Sequence, residues 1–258
     1  MNSSQNKLCV KNVTKTFSHD ITAIQNISVH IKEGEIVSII GPSGCGKSTM
    51  LDLIAGLSLP DSGDIFLNGQ SIVGKTGKVS YMPQNDVLLP WRTIIENVTI
   101  GLEVQGMKKK EAKIEAKQLL PAFGLEQYGD HYPYMLSGGM KQRASFLRSV
   151  LCKKEVMLLD EPFGKLDALT KRGLHEWLIE RWQESHFTMM LVTHDVDEAI
   201  YLSDRIYIMS HRPGKIIAEI KIRLEKDRLK RSITSVEFAS QKEEILSILE
   251  GKSAAAFF

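Results

Sequence analysis

The sequence predicts an α/β protein that combines a parallel sheet, an antiparallel sheet and a block of helices. Three observations lead to this prediction. The first third of the chain is rich in short β-branched runs, residues 90–153 are mostly helical in character, and two continuous apolar runs, VMLLDEP and TMMLVTHD, follow. Such continuous runs are typical of parallel strands that are buried on both faces. We therefore expect helices to be inserted between the strands of a buried sheet.

Composition narrows the class of protein. The chain has 258 residues, of which 43% are hydrophobic and 25% charged, and its formal net charge is +2. These values are ordinary for a soluble globular protein, and the length allows one or two domains. So small a charge gives no reason to expect a nucleic-acid partner. The three cysteines, Cys9, Cys45 and Cys152, are widely spaced and indicate neither a metal site nor a disulfide framework.

Targeting signals are absent from the sequence pattern. No apolar run approaches the length of a membrane span. The opening residues MNSSQNKLCV lack the apolar region of a signal peptide. We expect the chain to stay in the cytosol unless a partner holds it elsewhere.

The opening third predicts strands and turns. KLCVKNVTKTF, AIQNISVHI and EIVSIIG are β-branched runs broken by SHD and KEGE, a pattern typical of antiparallel strands. TMLDLIAGL has apolar residues at helical spacing. LPDSGDIFLNGQ predicts a turn, a short strand and a second turn.

The rest of the chain alternates helices and strands. KKKEAKIEAKQLLPAFGL predicts a charged helix with Ile114 and Leu119 facing inward, which ends near Pro121 and Gly124. LTKRGLHEWLIERWQES and DVDEAIYLSD predict helices on either side of the strand TMMLVTHD. RIYIMSHRPGKIIAEI predicts a terminal hairpin. We expect the segment after Arg223 to be charged and only weakly helical.

The stretch GPSGCGKST predicts a phosphate-binding loop. It matches the pattern G-x-x-x-x-G-K-[ST] with Gly41, Gly46, Lys47 and Ser48. Glycines let several N–H groups converge on one anion, and the helix that follows adds its positive end. Lys47 would reach the β- and γ-phosphates, and the Ser48 hydroxyl would ligate Mg²⁺. The alternative, a plain glycine turn, leaves the lysine and serine unexplained, so we expect nucleotide binding.

The apolar run VMLLDE ends in two acids, Asp160 and Glu161. The next apolar run, in LVTHD, ends near a histidine, His194. The carboxyl end of a parallel strand faces the crevice where ligands bind. We expect Asp160 to hold Mg²⁺ through water and Glu161 to polarise a water for attack on the γ-phosphate. The alternative is a surface acidic pair, which the upstream phosphate loop disfavours. His194 is compatible with a strand cap or a site residue.

A second glycine-rich stretch, LSGGMKQR, lies about a hundred residues beyond the first. Its Ser137, Gly138 and Gly139 precede the helical pattern MKQRASFLRSVL. They offer a hydroxyl, free N–H groups and a helix N-terminus. The residues alone allow either an anion site or a serine cap followed by a flexible loop.

The order of these motifs resembles the ATP-binding-cassette ATPases. GPSGCGKST, YMPQN with Gln84, LSGGMKQR, VMLLDEP, GKLD and TH extend the likeness over residues 7–219. LLPWRTIIENV and DEPFGKLDALTKR are similar to importer ATPases of the nitrate, sulfonate, taurine and pyrimidine-precursor group. The resemblance implies a P-loop NTPase core with a parallel sheet, an antiparallel β-subdomain and an inserted α-helical subdomain at about 88–153. It implies an ATPase domain over residues 1–223 and a short charged tail over residues 224–258.

The resemblance also implies a function and partners. It implies hydrolysis of ATP, with Mg²⁺, that energises solute uptake through permease subunits at the cytoplasmic face of the membrane. Two copies would face each other head to tail, with ATP held between residues 41–49 of one and residues 137–139 of the other. An extracytoplasmic solute-binding protein would be an indirect partner, and nucleic acid would not be one.

Individual roles carry over by position. The resemblance implies that Phe17 stacks on adenine, that Asp167 couples the two sites and that His194 contacts the γ-phosphate. It implies that Gln84 contacts Mg²⁺ and the attacking water. The implied catalytic residues are Glu161, His194 and Gln84. The implied Mg²⁺ ligands are Ser48, Gln84 and Asp160. The implied nucleotide-binding residues are Phe17, Gly41, Pro42, Ser43, Gly44, Cys45, Gly46, Lys47, Ser48, Thr49, Ser137, Gly138, Gly139 and Asp167.

Some positions depart from the family pattern. Met140 stands where glutamine is commoner, Met135 where the family more often has a polar residue, and Lys165 where it more often has a small one. Lys165 is expected near the two-fold axis of the dimer, where two like charges repel at low ionic strength. The alternatives are that each lysine pairs with an acid across the interface or that its side chain extends into water. Trp91, after LLP, is expected either near the permease or in local packing.

Two other functions were compatible with part of the pattern. A cassette protein that remodels nucleic acid or ribosomes usually has two cassettes in one chain or a long coiled-coil insertion, and neither is visible in the sequence. A small-molecule kinase would use the phosphate loop but would leave LSGGMKQR unexplained.

Overall fold

The computed structural model describes residues 6–18, 21–225 and 227–251. The first five residues of MNSSQNKLCV and the last seven of the expected charged tail lie outside these ranges. The strands within them are β1 (Asn6–Phe17), β2 (Ile21–Lys32), β3 (Ile36–Ile40), β4 (Ser62–Leu67), β5 (Gln70–Ser71), β6 (Ser80–Met82), β7 (Val156–Asp160), β8 (Thr188–Val192), β9 (Arg205–Met209) and β10 (Ile216–Lys221). The α-helices within them are α1 (Lys47–Ile54), α2 (Ile94–Val98), α3 (Ile100–Val104), α4 (Lys109–Leu119), α5 (Gly138–Leu151), α6 (Ala168–Ser185), α7 (Val196–Leu202) and α8 (Val236–Leu249). Across the described ranges, no helix combines the length and the apolar character needed to cross a bilayer.

The strands form two sheets. The four-stranded sheet has the order β2-β1-β4-β5 and is antiparallel. The six-stranded sheet has the order β10-β9-β3-β8-β7-β6, and its pairs are parallel except for β9 with β10. The prediction that EIVSIIG forms an antiparallel strand is wrong, because β3 pairs in parallel with β8 and β9. All five residues of β3 are buried, as expected for a strand that is covered on both faces.

The parallel pairing brings the site loops together. β3 lies beside β8, and β8 lies beside β7. Because these strands run in the same direction, their carboxyl ends at Ile40, Asp160 and Val192 meet at one edge of the sheet. The loops that follow them carry the phosphate-binding motif, Glu161 and His194. A core of apolar side chains from both sheets and α1 supports this edge.

Helices α2–α5 fill the connection between β6 and β7, where the sequence predicts a helical block. The prediction that Ile114 faces inward is wrong, because its side chain is 54% exposed. The buried face of α4 is formed instead by Ala112 and Ala116, one turn apart. Ile114 lies two residues from each and therefore points away. Leu119 packs against the core as predicted.

The segment after Arg223 is more ordered than a weakly helical tail. Its helix α8 begins at a serine cap, where the Phe238 N–H donates to Ser235 Oγ at 3.2 Å. Phe238 and Ile245 are buried in a cluster that includes Ile200 of α7. This helix therefore packs on the end of the core that carries α7.

Candidate functional site

The phosphate loop is shaped by close backbone packing. Gly46 precedes α1 with φ +106°, and a Cβ at this position would lie 2.5 Å from Ile24 Cγ2 and 2.8 Å from the carbonyl oxygen of Ala23. A residue with a side chain would be strained there both by its φ angle and by these contacts. A Cβ on Gly41 would lie 2.8 Å from the carbonyl oxygen of Met209. The glycines thus let the loop rest directly on β2 and β9.

A cavity of about 180 Å³ lies where this loop meets the loop after β7. Lys47 faces it, and its Nζ donates to the carbonyl oxygens of Gly41 (2.7 Å) and Pro42 (2.9 Å). Gly41, Pro42 and the buried Cys45 are not among the lining residues. The cavity is lined by Ser43, Gly44, Gly46, Lys47, Ser48, Thr49, Gln84, Asp160, Glu161 and Arg212.

Asp160 is a buried carboxylate with an incomplete set of partners. It is 1% exposed, and among the described residues its Oδ2 has no hydrogen-bond partner. Burial raises the pKa of Asp160, and a hydrogen bond with the Ser48 side chain acts in the opposite direction. An unpaired buried carboxylate oxygen beside a hydroxyl suits Mg²⁺, which prefers hard oxygen ligands. The residues present therefore fit the ion that the sequence predicts.

Glu161 is held between two other predicted site residues. Its Oε2 accepts a hydrogen bond from Gln84 Nε2 at 3.2 Å. Its Oε1 lies 3.3 Å from His194 Nδ1. The structure thus brings together all three residues that the resemblance assigns to catalysis. Glu161 also lines a second cavity, of about 220 Å³, together with His194.

The backbone of Glu161 is in an uncommon conformation. Its φ is +48°, in the left-handed region, which costs a non-glycine residue on the order of 1–3 kcal/mol and persists only where the surroundings enforce it. The Glu161 N–H donates to the carbonyl oxygen of Val192 at 2.8 Å. The carboxylate therefore projects from a peptide that is anchored on the end of β8.

The second glycine-rich stretch does not line the phosphate cavity. Ser137 caps α5, with the Met140 N–H donating to its Oγ at 3.3 Å. Ser137 and Gly138 are exposed, and Gly139 is half-buried. This turn therefore presents a hydroxyl and a helix N-terminus to the surface.

Asp167 and Phe17 also lie outside the cavity lining. Asp167 caps α6, and the N–H of Thr170 at 3.0 Å holds the pKa of Asp167 below its usual value. Phe17, at the end of β1, is 49% exposed, and Lys15 Nζ lies 5.6 Å from the centre of its ring. An exposed ring at the end of β1 is available for stacking.

Two residues at the site were missed by sequence reasoning. Arg212 lines the phosphate cavity from the β9–β10 turn, and Gly214 of that turn packs directly on the carbonyl oxygen of Cys45. Gln142 of α5 bonds to the backbone on both sides of the loop after Glu161. The residues HRPG predicted a turn but did not indicate that this turn lies at the phosphate cavity. Nothing in the sequence around Gln142 indicated its contacts with the loop after Glu161.

Lys165 has an acidic partner in its own chain. Its Nζ lies 3.4 Å from Asp86 Oδ1. Asp86 follows Gln84 by two residues, so this pair links the loop after β7 to the loop after β6. This ion pair neutralises part of the charge of Lys165. The repulsion expected between the two copies of Lys165 in a dimer stays a prediction.

The segment after Gln84 presents apolar side chains to the surface. Val87 is 59% exposed and Trp91 is 72% exposed. Local packing of Trp91, one of the two expectations from the sequence, is therefore wrong for its side chain. The segment itself is tied to α5, because the Arg148 guanidinium donates to the carbonyl oxygens of Asp86 (2.9 Å) and Val87 (2.7 Å).

Comparisons with known proteins agree with this geometry. The family model for ABC transporters matches residues 24–164. The formylaminopyrimidine import ATP-binding protein ThiZ of Halalkalibacterium halodurans is 46% identical over 83% of this chain and 84% of that protein. The nitrate import ATP-binding protein NrtD of Synechocystis is 42% identical over 90% of each. A dimeric post-hydrolysis structure of the cassette MJ0796, bound to ADP and Pi, is 32% identical with a TM-score of 0.77, covering 84% of this chain and 100% of that one.

The matched segment contains the features described above. Residues 24–164 include the phosphate loop, Gln84, the turn at Ser137 and the pair of Asp160 and Glu161. The two relatives extend the match over most of both chains. The chain therefore belongs to the ABC transporter family, and within that family it is an ATPase.

Proposed function

We propose that two copies of this chain hydrolyse ATP at sites shared between them, and that hydrolysis drives solute uptake through a separate membrane permease. One observation carries the proposal. Lys47, Asp160 and Glu161 line one cavity, whereas the turn at Ser137 faces the surface elsewhere. A phosphate in this cavity would be contacted from one side, and a second copy placed head to tail would supply the other. The related cassette that is dimeric and bound to ADP and Pi supports this arrangement.

Each side chain in the cavity has a distinct part in the reaction. Lys47 and the N–H groups before α1 bind the phosphates. Glu161 accepts the proton of the attacking water, while Gln84 and His194 hold its carboxylate from two sides. Asp160, with Ser48 and Gln84, would hold Mg²⁺, which supplies charge neutralisation at the phosphate oxygens.

From the other subunit, Ser137, Gly138 and Gly139 complete the site. The exposed hydroxyl and the first N–H groups of α5 can contact a γ-phosphate.

Phe17 stacks on the adenine ring. Asp167, at the start of α6, lies in the loop that connects the two sites across the dimer. The two nucleotides are thus each bound by both chains.

The permease would dock on the segment from Gln84 to Trp91. This segment starts at a residue that contacts Glu161 and ends at an exposed tryptophan. A shift of Gln84 during hydrolysis would therefore be passed to the docked partner. In this proposal the chain lies at the cytoplasmic face of the membrane, and an extracytoplasmic solute-binding protein is an indirect partner.

The solute belongs, in our proposal, to the group of nitrate, sulfonates, taurine and pyrimidine precursors. Relatives named for import of nitrate and of formylaminopyrimidine support this class. A small-molecule kinase would leave the exposed turn at Ser137 without a role.

Replacing Trp91 with serine should weaken binding to the proposed permease partner about 10- to 30-fold. Exposed tryptophans that become buried in an interface commonly contribute about 2 kcal/mol. The measurement is the affinity of the purified chain for the detergent-solubilised permease. ATP hydrolysis by the isolated chain should stay unchanged.

Val104→Ser is the matched control for this experiment. Val104 is 83% exposed but lies at the end of α3, so its replacement should leave permease binding intact. Equal losses for the two variants would place the docking surface elsewhere. If the native chain did not bind the permease at all, the proposed transport function would be wrong.

A further inference from the structure

Gln142 lies at the junction between the signature turn and the catalytic loop. It is in the second turn of α5, the helix that begins directly after Ser137. Its side chain is only 2% exposed. The amide of a long polar side chain in such a position needs hydrogen-bond partners within the protein. These partners indicate the role of the residue.

Both ends of the Gln142 side-chain amide form hydrogen bonds with the loop that follows β7. Its Nε2 donates to the carbonyl oxygen of Glu161 at 2.8 Å. Its Oε1 accepts from the backbone N–H of Lys165 at 2.8 Å. Since one partner is a carbonyl and the other an N–H, only one orientation of the amide makes both bonds. The side chain therefore holds the two ends of residues 161–165 in one arrangement.

The first of these bonds supports a strained peptide. Glu161 has its φ in the left-handed region, so its conformation depends on external contacts. Its N–H is held by Val192, and its carbonyl oxygen is held by Gln142. The direction in which the carboxylate projects follows from the orientation of these two peptides.

The same helix is also in close contact with this loop at its first turn. A Cβ on Gly139 would lie 3.1 Å from the carbonyl oxygen of Lys165 and 3.5 Å from Leu166 Cδ2. The start of α5 therefore packs closely against residues 165 and 166.

We propose that Gln142 is a positioning residue for Glu161, and that it links closure of the signature turn on the partner's nucleotide to the orientation of Glu161 in its own chain. The inference rests on the proposed function, because it takes Glu161 as the base and Ser137 as a contact in trans. Gln142 itself does not line the phosphate cavity and does not contact the reacting atoms.

Gln142→Leu should lower kcat for ATP hydrolysis about 10-fold and change KM for ATP less than about 2-fold. The variant places a slightly shorter apolar side chain in the same buried position and removes both hydrogen bonds. Because Gln142 does not line the phosphate cavity, we expect nucleotide binding by the phosphate loop to be preserved. Steady-state kinetics and an ATP-binding titration measure the two parameters separately. Gln105→Leu is the matched control. This control removes the two hydrogen bonds that the Gln105 side-chain amide donates to the carbonyl oxygens of Gly101 and Cys152 on an exposed helix surface. It should leave both kcat and KM unchanged.

Gln142→Glu gives a second, pH-dependent readout, which is compared with thermal unfolding of the same variant over the same pH range because an ionised buried carboxyl also lowers stability. The ionised carboxylate would face the Glu161 carbonyl oxygen, and two acceptors repel. When protonated, its hydroxyl can donate to Glu161 while its other oxygen accepts from the Lys165 N–H. Burial raises the pKa of such a carboxyl. The activity of this variant relative to the native chain should therefore rise about 3- to 10-fold between pH 8 and pH 6.

The outcomes separate the inference from the function on which it rests. Glu161→Gln is assayed beside the Gln142 variants. If Glu161→Gln is inactive while Gln142→Leu has a native kcat, or shows its loss only in KM, the inference is overturned and the proposed function stands. A flat pH dependence of Gln142→Glu relative to the native chain also overturns it. If Glu161→Gln retains native hydrolysis, the base is another group, and the inference fails together with the catalytic role proposed for Glu161.

Discussion

Replacing Glu161 with glutamine should lower the rate of ATP hydrolysis about 10²- to 10⁴-fold and leave ATP binding nearly unchanged. An amide cannot accept the proton of the attacking water. Glutamine has almost the same size, and its oxygen can still accept the hydrogen bond from Gln84 that Glu161 accepts at 3.2 Å. The site should therefore keep its shape while the proton transfer is lost. Phosphate release and equilibrium ATP binding are the two measurements.

The same substitution at an exposed glutamate is the control. Glu180 lies on the exposed face of α6, and Glu180→Gln should hydrolyse ATP at the native rate. If Glu161→Gln were to turn over ATP about as fast as this control, Glu161 would not be the general base.

Replacing Asp160 with asparagine should have two opposite effects. We expect hydrolysis to fall about 10- to 100-fold, as is usual when a group that orients a bound metal is changed. We expect the unliganded protein to become more stable by about 1 kcal/mol at pH 8, or about 2–4 °C in Tm. The reason is that Asp160 is buried and that its Oδ2 has no hydrogen-bond partner within the part of the chain that the structure describes. Asparagine keeps the shape of the side chain without its charge.

The pH dependence of this stability follows from the sign of the pKa shift. Burial raises the pKa of Asp160 in the folded protein, so the folded state binds more protons than the unfolded state in the range between the two pKa values. The stability that this proton contributes is present at acid pH and is lost as the pH rises through the folded pKa. The advantage of the asparagine variant should therefore shrink as the pH is lowered.

Thermal unfolding across a pH series measures this effect. Asp61→Asn is the control, because an N–H of Thr16 holds the pKa of Asp61 below its usual value, so asparagine should not stabilise the protein there. If Asp160→Asn were less stable than the native chain at pH 8, the account of Asp160 as a costly buried charge would be wrong.

The parts of the site that depend on contiguous residues could be predicted from the sequence. The phosphate loop is one example, because Gly46 and Lys47 act through the backbone turn and helix start in which they lie. The meeting of Asp160 and Glu161 with this loop could also be predicted, since continuous apolar runs indicate parallel strands whose carboxyl ends share an edge. These inferences use only local physics and one topological rule.

The parts that depend on distant partners could not be predicted. Helix α4 has two apolar faces. The face with Ala112 and Ala116 is buried, and the face with Ile114 is not, because the small alanine side chains allow close approach of the neighbouring helices. The burial of Phe238 depends on α7, which lies far from it in the sequence. A glutamine such as Gln142, on a helix otherwise read by its apolar spacing, shows its role only when the loop 23 residues away is in place.

The central claim is that each ATP is hydrolysed between two chains, and fused pairs of copies test it most directly. In one fusion, Lys47→Ala is placed in the first copy and Ser137→Arg in the second, so both changes fall on the same shared site and the other site is intact. In the second fusion, both changes are placed in the first copy, so each shared site loses one contributor. The measurement is the ratio of ATP hydrolysis by the first fusion to that by the second. Our account predicts a ratio well above one. If each chain hydrolysed ATP alone, the second fusion would retain an undamaged copy and the first would not, and a ratio at or below one would contradict the account.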